Sequence, residues 1–189
     1  MDHETLLRKF RKKPLFAPDT APVVVPVVPP AIAPTRFTPL AWGRDDIKRI
    51  LPHREPFLLV DRLTGISFDD EGIAGARFIS PDDPILAGHF PDFPVYPGSL
   101  EVEMIGQLGL CLHYFLQSRS TNVPAEEQTL QVRATRILGA SYLEPVLPGR
   151  EIVLFAKKLE ADEYLATMIG QVIADGKIAC VAVGEVCFV

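Results

Sequence analysis

The sequence predicts an α+β domain in which a long antiparallel sheet packs against one long, buried helix. Residues 99–118 carry apolar side chains at helical spacing with only two charges, which is typical of a mostly buried helix. Four segments of strand length follow between residues 130 and 188. Short polar turns, rather than further helices, join these segments, and such turns favour antiparallel pairing.

The first 40 residues differ in composition from the rest of the chain. They carry six Lys/Arg and three Asp/Glu, whereas the other 149 residues carry 13 and 21. The cationic run at residues 8–13 favours a short basic helix within residues 1–13. Residues 14–39 hold eight of the 18 prolines, which predicts an extended, partly disordered linker. The valines of this linker leave open an arm that docks on a partner or on its own domain. We expect the domain itself to span residues 41–189.

Composition also limits the possible functions. The net charge of -5 argues against a nucleic-acid-binding role. The apolar run 21–34 contains five prolines, which prevent the helix of a signal peptide or membrane span, so we expect a cytoplasmic protein without a membrane span. Cys111, Cys180 and Cys187 are odd in number and form no C-x-x-C pair, so we expect core thiols rather than disulfides or a zinc site. No metal or cofactor is expected.

The elements of the domain follow in order. Residues 45–51 predict one or two helical turns with acidic residues at the N-terminal side. Residues 57–63 and 73–79 are interpreted as short strands. The segment 81–98 contains five prolines and two glycines and predicts a stiff, irregular loop. Ordered loops of this length commonly carry function.

The long helix and the C-terminal strands complete the prediction. Ser99 is the predicted N-cap of a helix that extends to Ser118. The dipeptide Asp175-Gly176 is a strong signal for a two-residue hairpin turn. The four predicted strands are residues 130–143, 151–159, 164–174 and 177–188.

Three sequence motifs are the part of the chain most specific for function. Residues 88–107, GHFPDFPVYPGSLEVEMIGQ, resemble the active-site segment of the 3-hydroxyacyl-[acyl carrier protein] dehydratases, the FabZ/FabA-like hot-dog proteins. Residues 51–62, LPHREPFLLVDR, are similar to the opening motif of that family, and residues 145–149, PVLPG, to a later one. The resemblance covers about residues 45–189.

The resemblance implies a fold and a pair of catalytic residues. It implies a hot-dog fold, an antiparallel sheet wrapped around a central helix, in proteins that work as homodimers or trimers of dimers. Each active site of the family takes a histidine from one chain and an acid from the central helix of the other. Those positions are His89 and Glu103 here, 14 residues apart. A glutamate, rather than the aspartate of the isomerising branch, favours a plain dehydratase.

Other residues of the same segment are implicated as supporting groups. The backbone N–H of Gly98 corresponds to the group that binds the thioester oxygen in the family. The carbonyl of Val95 corresponds to the one that holds the histidine ring. Gln107 lies four residues beyond the acid on the same helix face, where it could orient that acid or serve as a buried structural amide. Pro97 and Phe90 complete the predicted substrate-binding and orienting residues.

The residue types suit this chemistry independently of the resemblance. Dehydration requires a base for the C2 proton, an acid for the departing hydroxyl, and stabilisation of charge on the thioester oxygen. Histidine as a residue type titrates near neutral pH, so His89 is a candidate for the base. A carboxyl group at an apolar site can have its pKa raised enough to act as an acid, which suits Glu103. Gly98, at a helix start, can present its N–H without a side chain in the way.

Three positions depart from the family pattern. Asp92 replaces a usual glycine, Glu101 stands where an apolar residue is common, and Arg150 stands where an acid is more usual. None of these departures removes a catalytic group. They suggest a specialised branch with an altered pocket or altered partners.

The expected partner is an acyl carrier protein, and two other functions remain open. Because carrier proteins are acidic, a basic patch is expected, although ordinary solvated charges are the simpler interpretation of each candidate. The first alternative function is an acyl thioesterase on the same fold, and the second is a non-catalytic acyl-binding or dimerisation partner. Fold alone does not decide among the three. The candidate cations are Arg133, Arg136, Lys157 and Lys158.

Overall fold

A computed structural model describes residues 2–16 and 36–188 of the chain. These residues form one seven-stranded antiparallel sheet and four helices. The helices are α1 (His3–Phe10), α2 (Arg44–Ile47), α3 (Pro84–Gly88) and α4 (Gly98–Ser118). The strands are β1 (Thr38–Gly43), β2 (Arg62–Ser67), β3 (Gly72–Ile79), β4 (Val132–Tyr142), β5 (Arg150–Ala161), β6 (Leu165–Ala174) and β7 (Lys177–Phe188).

The sheet wraps around helix α4, which confirms the predicted fold class. Its strand order is β1-β2-β3-β5-β6-β7-β4, so β4 forms one edge. The apolar stripe of α4, including Met104, Leu108, Cys111 and Phe115, is completely buried against the concave face. A Cβ atom at Gly170 of β6 would collide with the side chain of Ile105, so a glycine there lets the helix lie directly on the sheet.

The hairpin between β6 and β7 follows the sequence prediction. Asp175 and Gly176 have φ values of 49° and 76°, so both central residues of the turn adopt the left-handed conformation. That conformation matches the right-handed twist of the paired strands. The turn fixes the register in which Ala174 faces Lys177.

The predicted strand at residues 57–63 is wrong. Leu58, Leu59 and Val60 are buried, but they precede the strand β2, which begins at Arg62. In this segment the side-chain amide of Gln107 makes hydrogen bonds of the kind that a neighbouring strand would make. Its Oε1 accepts from the backbone N–H of Leu59 at 2.7 Å, and its Nε2 donates to the carbonyl of Phe57 at 2.8 Å. Two backbone polar groups of this segment are thus satisfied by one side chain of α4.

The predicted N-cap is also wrong by two residues. Helix α4 begins at Gly98, and Pro97 occupies the cap position without a side-chain hydrogen bond. The carbonyl of Pro97 accepts from the N–H groups of Leu100 and Glu101 at 3.0 and 3.3 Å, so the first turn closes before Ser99 can cap it. The exposed Ser99 lies inside the helix.

The predicted basic helix within residues 1–13 is confirmed as α1, and it packs on the outer face of the sheet. Leu6 is buried there against Ile169, Val181 and Val183. The Asp2 carboxylate caps the helix by accepting from the Thr5 N–H at 2.8 Å. The cations of α1 and of the residues just after it remain exposed.

A buried amide fastens the chain that follows α1 to the same face. Gln171 of β6 is fully buried. Its Oε1 accepts from the Leu15 N–H at 2.7 Å, and its Nε2 donates to the carbonyls of Phe10 and Lys13 at 2.6 and 3.0 Å. Phe16 then packs edge-on against other aromatic rings of this face. Residues 2–16 therefore lie along the sheet as an N-terminal arm.

The predicted linker falls mostly on residues 17–35, which lie outside the described residues, so it stays a prediction, as does the domain boundary near residue 41. Within the described residues, no helix has the length and apolarity needed to cross a membrane. Cys111 and Cys180 are buried free thiols, as expected of core cysteines, whereas the free thiol of Cys187 is only half-buried.

Candidate active site

His89 is held by the irregular segment that connects β3 to α4. It follows the short helix α3, and its Nδ1 lies 2.8 Å from the carbonyl oxygen of Val95. Because a carbonyl only accepts hydrogen bonds, this contact assigns the ring proton of a neutral His89 to Nδ1. The lone pair on Nε2 is then available to accept a proton.

A cavity of about 470 Å³ lies beside this histidine. Four of the residues singled out from the sequence line it, namely His89, Val95, Pro97 and Gly98. Gly98 is the first residue of α4, so its N–H has no acceptor within the helix. The backbone of one helix terminus and one imidazole ring therefore face the same space.

The ring of Tyr142, at the end of β4, covers Gly98. A Cβ atom at Gly98 would lie 2.6 Å from two carbons of this ring, so only glycine permits the close approach. More than half of the Tyr142 surface remains exposed, at 57%, and the ring lines the His89 cavity. The tyrosine therefore shapes the entrance beside the helix terminus.

Glu101 lies in the wall of the same cavity. Its residue surface is only 3% exposed, and its Oε2 has no hydrogen-bond partner among the described residues. Burial raises the pKa of this carboxyl to about 8, because the charged form is poorly solvated there. Glu101 therefore carries a proton over most of the neutral range.

Glu103 faces a different environment on the other side of α4. About a third of its side chain is exposed. Its Oε1 accepts from the Nε2 of Gln107 at 2.9 Å and lies 3.5 Å from the Nε2 of His53. Gln107 thus joins Glu103 to the backbone of Phe57 and Leu59 and fixes where this carboxyl points. The contact expected between Gln107 and Glu103 is present.

The two predicted catalytic residues line separate cavities of the chain. Glu103 lines a second, smaller cavity of about 130 Å³ between α4, β4 and β7, and none of its lining residues borders the His89 cavity. The remaining predicted residue, Phe90, is 61% exposed, with its ring 4.4 Å from the ring of His89. One chain therefore brings together His89, Val95, Pro97 and Gly98, while Glu103 and Gln107 form their own group.

Two of the four cations proposed to bind a carrier protein are occupied within the chain. Arg136 forms an ion pair with Glu185 at 2.7 Å, and Lys158 forms one with Glu71. Lys157 lies over the ring of Phe16 at 5.8 Å. The ion-paired cations are less available to an acidic partner than the sequence suggests.

Sequence reasoning missed three neighbours of the site. Glu101 stands out in the sequence only as a departure from the family pattern, and neither His53 nor Tyr142 is among the predicted site residues. His53 belongs to the motif at residues 51–62, and that membership is the sequence signal that could have placed it near Glu103. The positions of Glu101 and Tyr142 depend on how α4 packs against β4, which no local pattern encodes.

The fold and this site together define a hot-dog protein with a histidine that faces a cavity at the start of its central helix. Residues 51–183 match the family model described as a FabA-like domain. The chain is 35% identical over 150 residues to the 3-hydroxyacyl-[acyl-carrier-protein] dehydratase FabZ of Polynucleobacter necessarius, a match that covers 76% of this chain and 94% of that protein. It is 38% identical over 141 residues to the FabZ of Nitratidesulfovibrio vulgaris, covering 73% and 87%. The chain belongs to the FabA-like family.

A solved structure supports the same fold. The dehydratase heterocomplex ApeI:P from Xenorhabdus doucetiae matches 82% of this chain and 93% of its own, with a TM-score of 0.56 and 17% sequence identity. At that identity the likeness concerns the fold alone. The relatives at 33–38% identity confirm the prediction that this chain is an enzyme of the hydro-lyase class.

Proposed function

We propose that the protein removes water from (3R)-3-hydroxyacyl thioesters carried by an acyl carrier protein, giving trans-2-enoyl thioesters for fatty acid or polyketide-like synthesis. The observation that carries this proposal is the His89 cavity, where an oriented imidazole and the free N–H of a helix start face one space. The names of the relatives support the substrate class.

The proposed reaction divides among three groups. Nε2 of His89 takes the proton from C2 of the substrate, and the C2–H electrons form the new double bond to C3. The N–H of Gly98 and the positive end of α4 stabilise the charge that develops on the thioester oxygen. The Glu103 carboxyl group gives a proton to the C3 hydroxyl, which leaves as water. Each proton-transfer group contributes about 10²–10⁴-fold to the rate.

We infer that His89 and Glu103 of one site come from two chains of a homodimer, or of a trimer of dimers. Within one chain they line different cavities, and Glu103 is partly exposed, as a group completing a site on a second chain must be before assembly. Among residues 2–16 and 36–188, strand β4 pairs with β7 alone, so its other edge offers a surface for pairing.

Mixing two inactive variants tests the function and the shared site together. His89→Ala and Glu103→Gln are purified separately, denatured, mixed in equal amounts and refolded, and enoyl product is measured with a 3-hydroxyacyl thioester. In a dimer with shared sites, half of the dimers are mixed and each holds one intact site, so about a quarter of wild-type activity returns.

Three outcomes would contradict parts of this proposal. An active wild type whose variant mixture stays inactive, after refolding that restores wild-type activity, would place both residues in one chain. Release of free thiol without enoyl product would indicate a thioesterase. A wild type that binds acyl groups without converting them would indicate a non-catalytic partner.

A further inference from the structure

The carboxyl group of Glu101 has no role in the proposed reaction, yet it is the most buried acid beside the cavity. It is 3% exposed, and its Oε2 is enclosed without a hydrogen-bond partner among residues 2–16 and 36–188. An unsatisfied polar atom in a protein interior costs free energy, so such a group is expected to serve a purpose. Because Glu101 also lines the His89 cavity, a molecule bound there is the nearest source of a partner for its carboxyl group.

The surroundings of Glu101 keep it neutral. His89 lines the same cavity from the preceding loop, Tyr142 from β4 and Glu144 from the segment after it, while Cys180 of β7 is close enough to sense the Glu101 charge. No Lys or Arg is among the residues that line this cavity in the described chain. Because burial raises the Glu101 pKa to about 8, the carboxyl is a hydrogen-bond donor at neutral pH.

Helix geometry places this donor relative to the proposed substrate. Glu101 lies three residues beyond Gly98, so the two share one side of α4 and are about 4.5 Å apart along the helix axis. When the acyl chain, rather than the carrier arm, runs along α4 from the Gly98 N–H, the atoms that follow C3 lie next to Glu101. A plain hydrocarbon there would leave the donor unsatisfied, whereas an oxygen would pair with it.

We propose that the His89 cavity selects acyl chains that carry a second oxygen, a hydroxyl or keto group near C5, and that the Glu101 carboxyl donates a hydrogen bond to it. This inference rests on the proposed dehydration. It makes Glu101 a specificity-determining residue, because sites built to hydrogen-bond a substrate group reject analogues that lack the group. The departure of Glu101 from the family pattern then corresponds to a substrate that departs from a saturated fatty acyl chain.

Two matched thioesters test the selection. The pantetheine thioesters of 3-hydroxyoctanoic acid and 3,5-dihydroxyoctanoic acid are compared by kcat/KM for enoyl formation in the full-length protein. Wild type is expected to prefer the dihydroxy substrate by roughly ten- to a hundredfold. Glu101→Leu should abolish this preference and improve use of the plain chain. Glu101→Gln, whose amide still donates, should retain most of it.

The control is Glu163→Leu, which removes an exposed carboxyl from the turn between β5 and β6, at the opposite end of the sheet from Tyr142. It should leave the preference unchanged. Equal use of both thioesters by wild type would overturn the inference and leave the dehydratase assignment intact. Failure to dehydrate either thioester would instead refute the proposed function. A Glu101→Leu variant that loses activity equally on both substrates would show that this carboxyl acts on the reacting atoms, and the selection would be wrong.

Discussion

Helix α4 carries two glutamates two residues apart, and they lie in different environments on its two sides. On one side Glu101 is enclosed, unpaired and next to the His89 cavity. On the other, Glu103 is partly exposed and accepts a hydrogen bond from Gln107, with His53 close by. Residue type and helix position are nearly the same, so the difference arises from the strands and loops that pack on each side. Under the proposed function, this difference separates a carboxyl that binds the substrate from a carboxyl that transfers a proton.

The largest expected effect separates these two roles. Glu103→Gln and His89→Ala should each lower kcat for dehydration by about 10²–10⁴-fold, because each removes a proton-transfer group. Glu101→Gln should change kcat on its preferred substrate only slightly, because the amide still donates a hydrogen bond. Steady-state rates of enoyl formation measure all three. Equal losses of kcat for Glu103→Gln and Glu101→Gln would contradict the difference in role between the two glutamates.

The next effect concerns stability and pH. The pKa of Glu101 rises from 4.5 to about 8 on folding, so its contribution to stability is fully present below pH 4.5 and is lost as pH rises through 8. The loss amounts to at most about 5 kcal/mol. Denaturant unfolding at pH 5 and pH 8 should show Glu101→Gln becoming more stable relative to wild type at the higher pH. A difference independent of pH would mean that this carboxyl is not desolvated.

A smaller effect is expected on the side of Glu103. Gln107→Leu leaves the buried N–H of Leu59 and the carbonyl of Phe57 without their partner and should lower the free energy of unfolding by about 1–3 kcal/mol. It should also lower kcat, because Glu103 loses its positioning contact. Gln128→Leu, at an exposed amide, is the matched control. If Gln107→Leu kept full stability, the description of this side as a hydrogen-bonded unit would be incorrect.

Much of the fold follows from local patterns in the sequence. The periodicity of residues 99–118 identified α4, and the alternation and turns after residue 130 identified β4 to β7. The Asp175-Gly176 turn was predictable because its left-handed geometry favours those residue types. Each of these features is decided by neighbours in the sequence.

The errors arise where a distant residue decides the local structure. Residues 58–60 have the composition of a strand, but the amide of Gln107, 48 residues beyond Leu59, binds the Leu59 N–H in place of a strand neighbour. The spacing of the motif predicted His89 and Glu103. The burial of Glu101, in contrast, depends on how α4, β4 and β7 pack around its side chain. A sequence pattern reports a side chain's type and spacing but not how much water reaches it.

The hydrogen bonds between the Gln171 side-chain amide and the N-terminal arm affect what happens when the protein is shortened from its N-terminus. A chain that begins at β1 would lack the N-terminal arm that covers Ile169, Val181 and Val183. These apolar side chains would then be exposed to water. The shortened chain would also leave the Gln171 amide at the middle of a newly bared surface, without the three backbone groups it now binds. Such a chain would tend to self-associate through that face, so activity and assembly are best measured with the first sixteen residues retained.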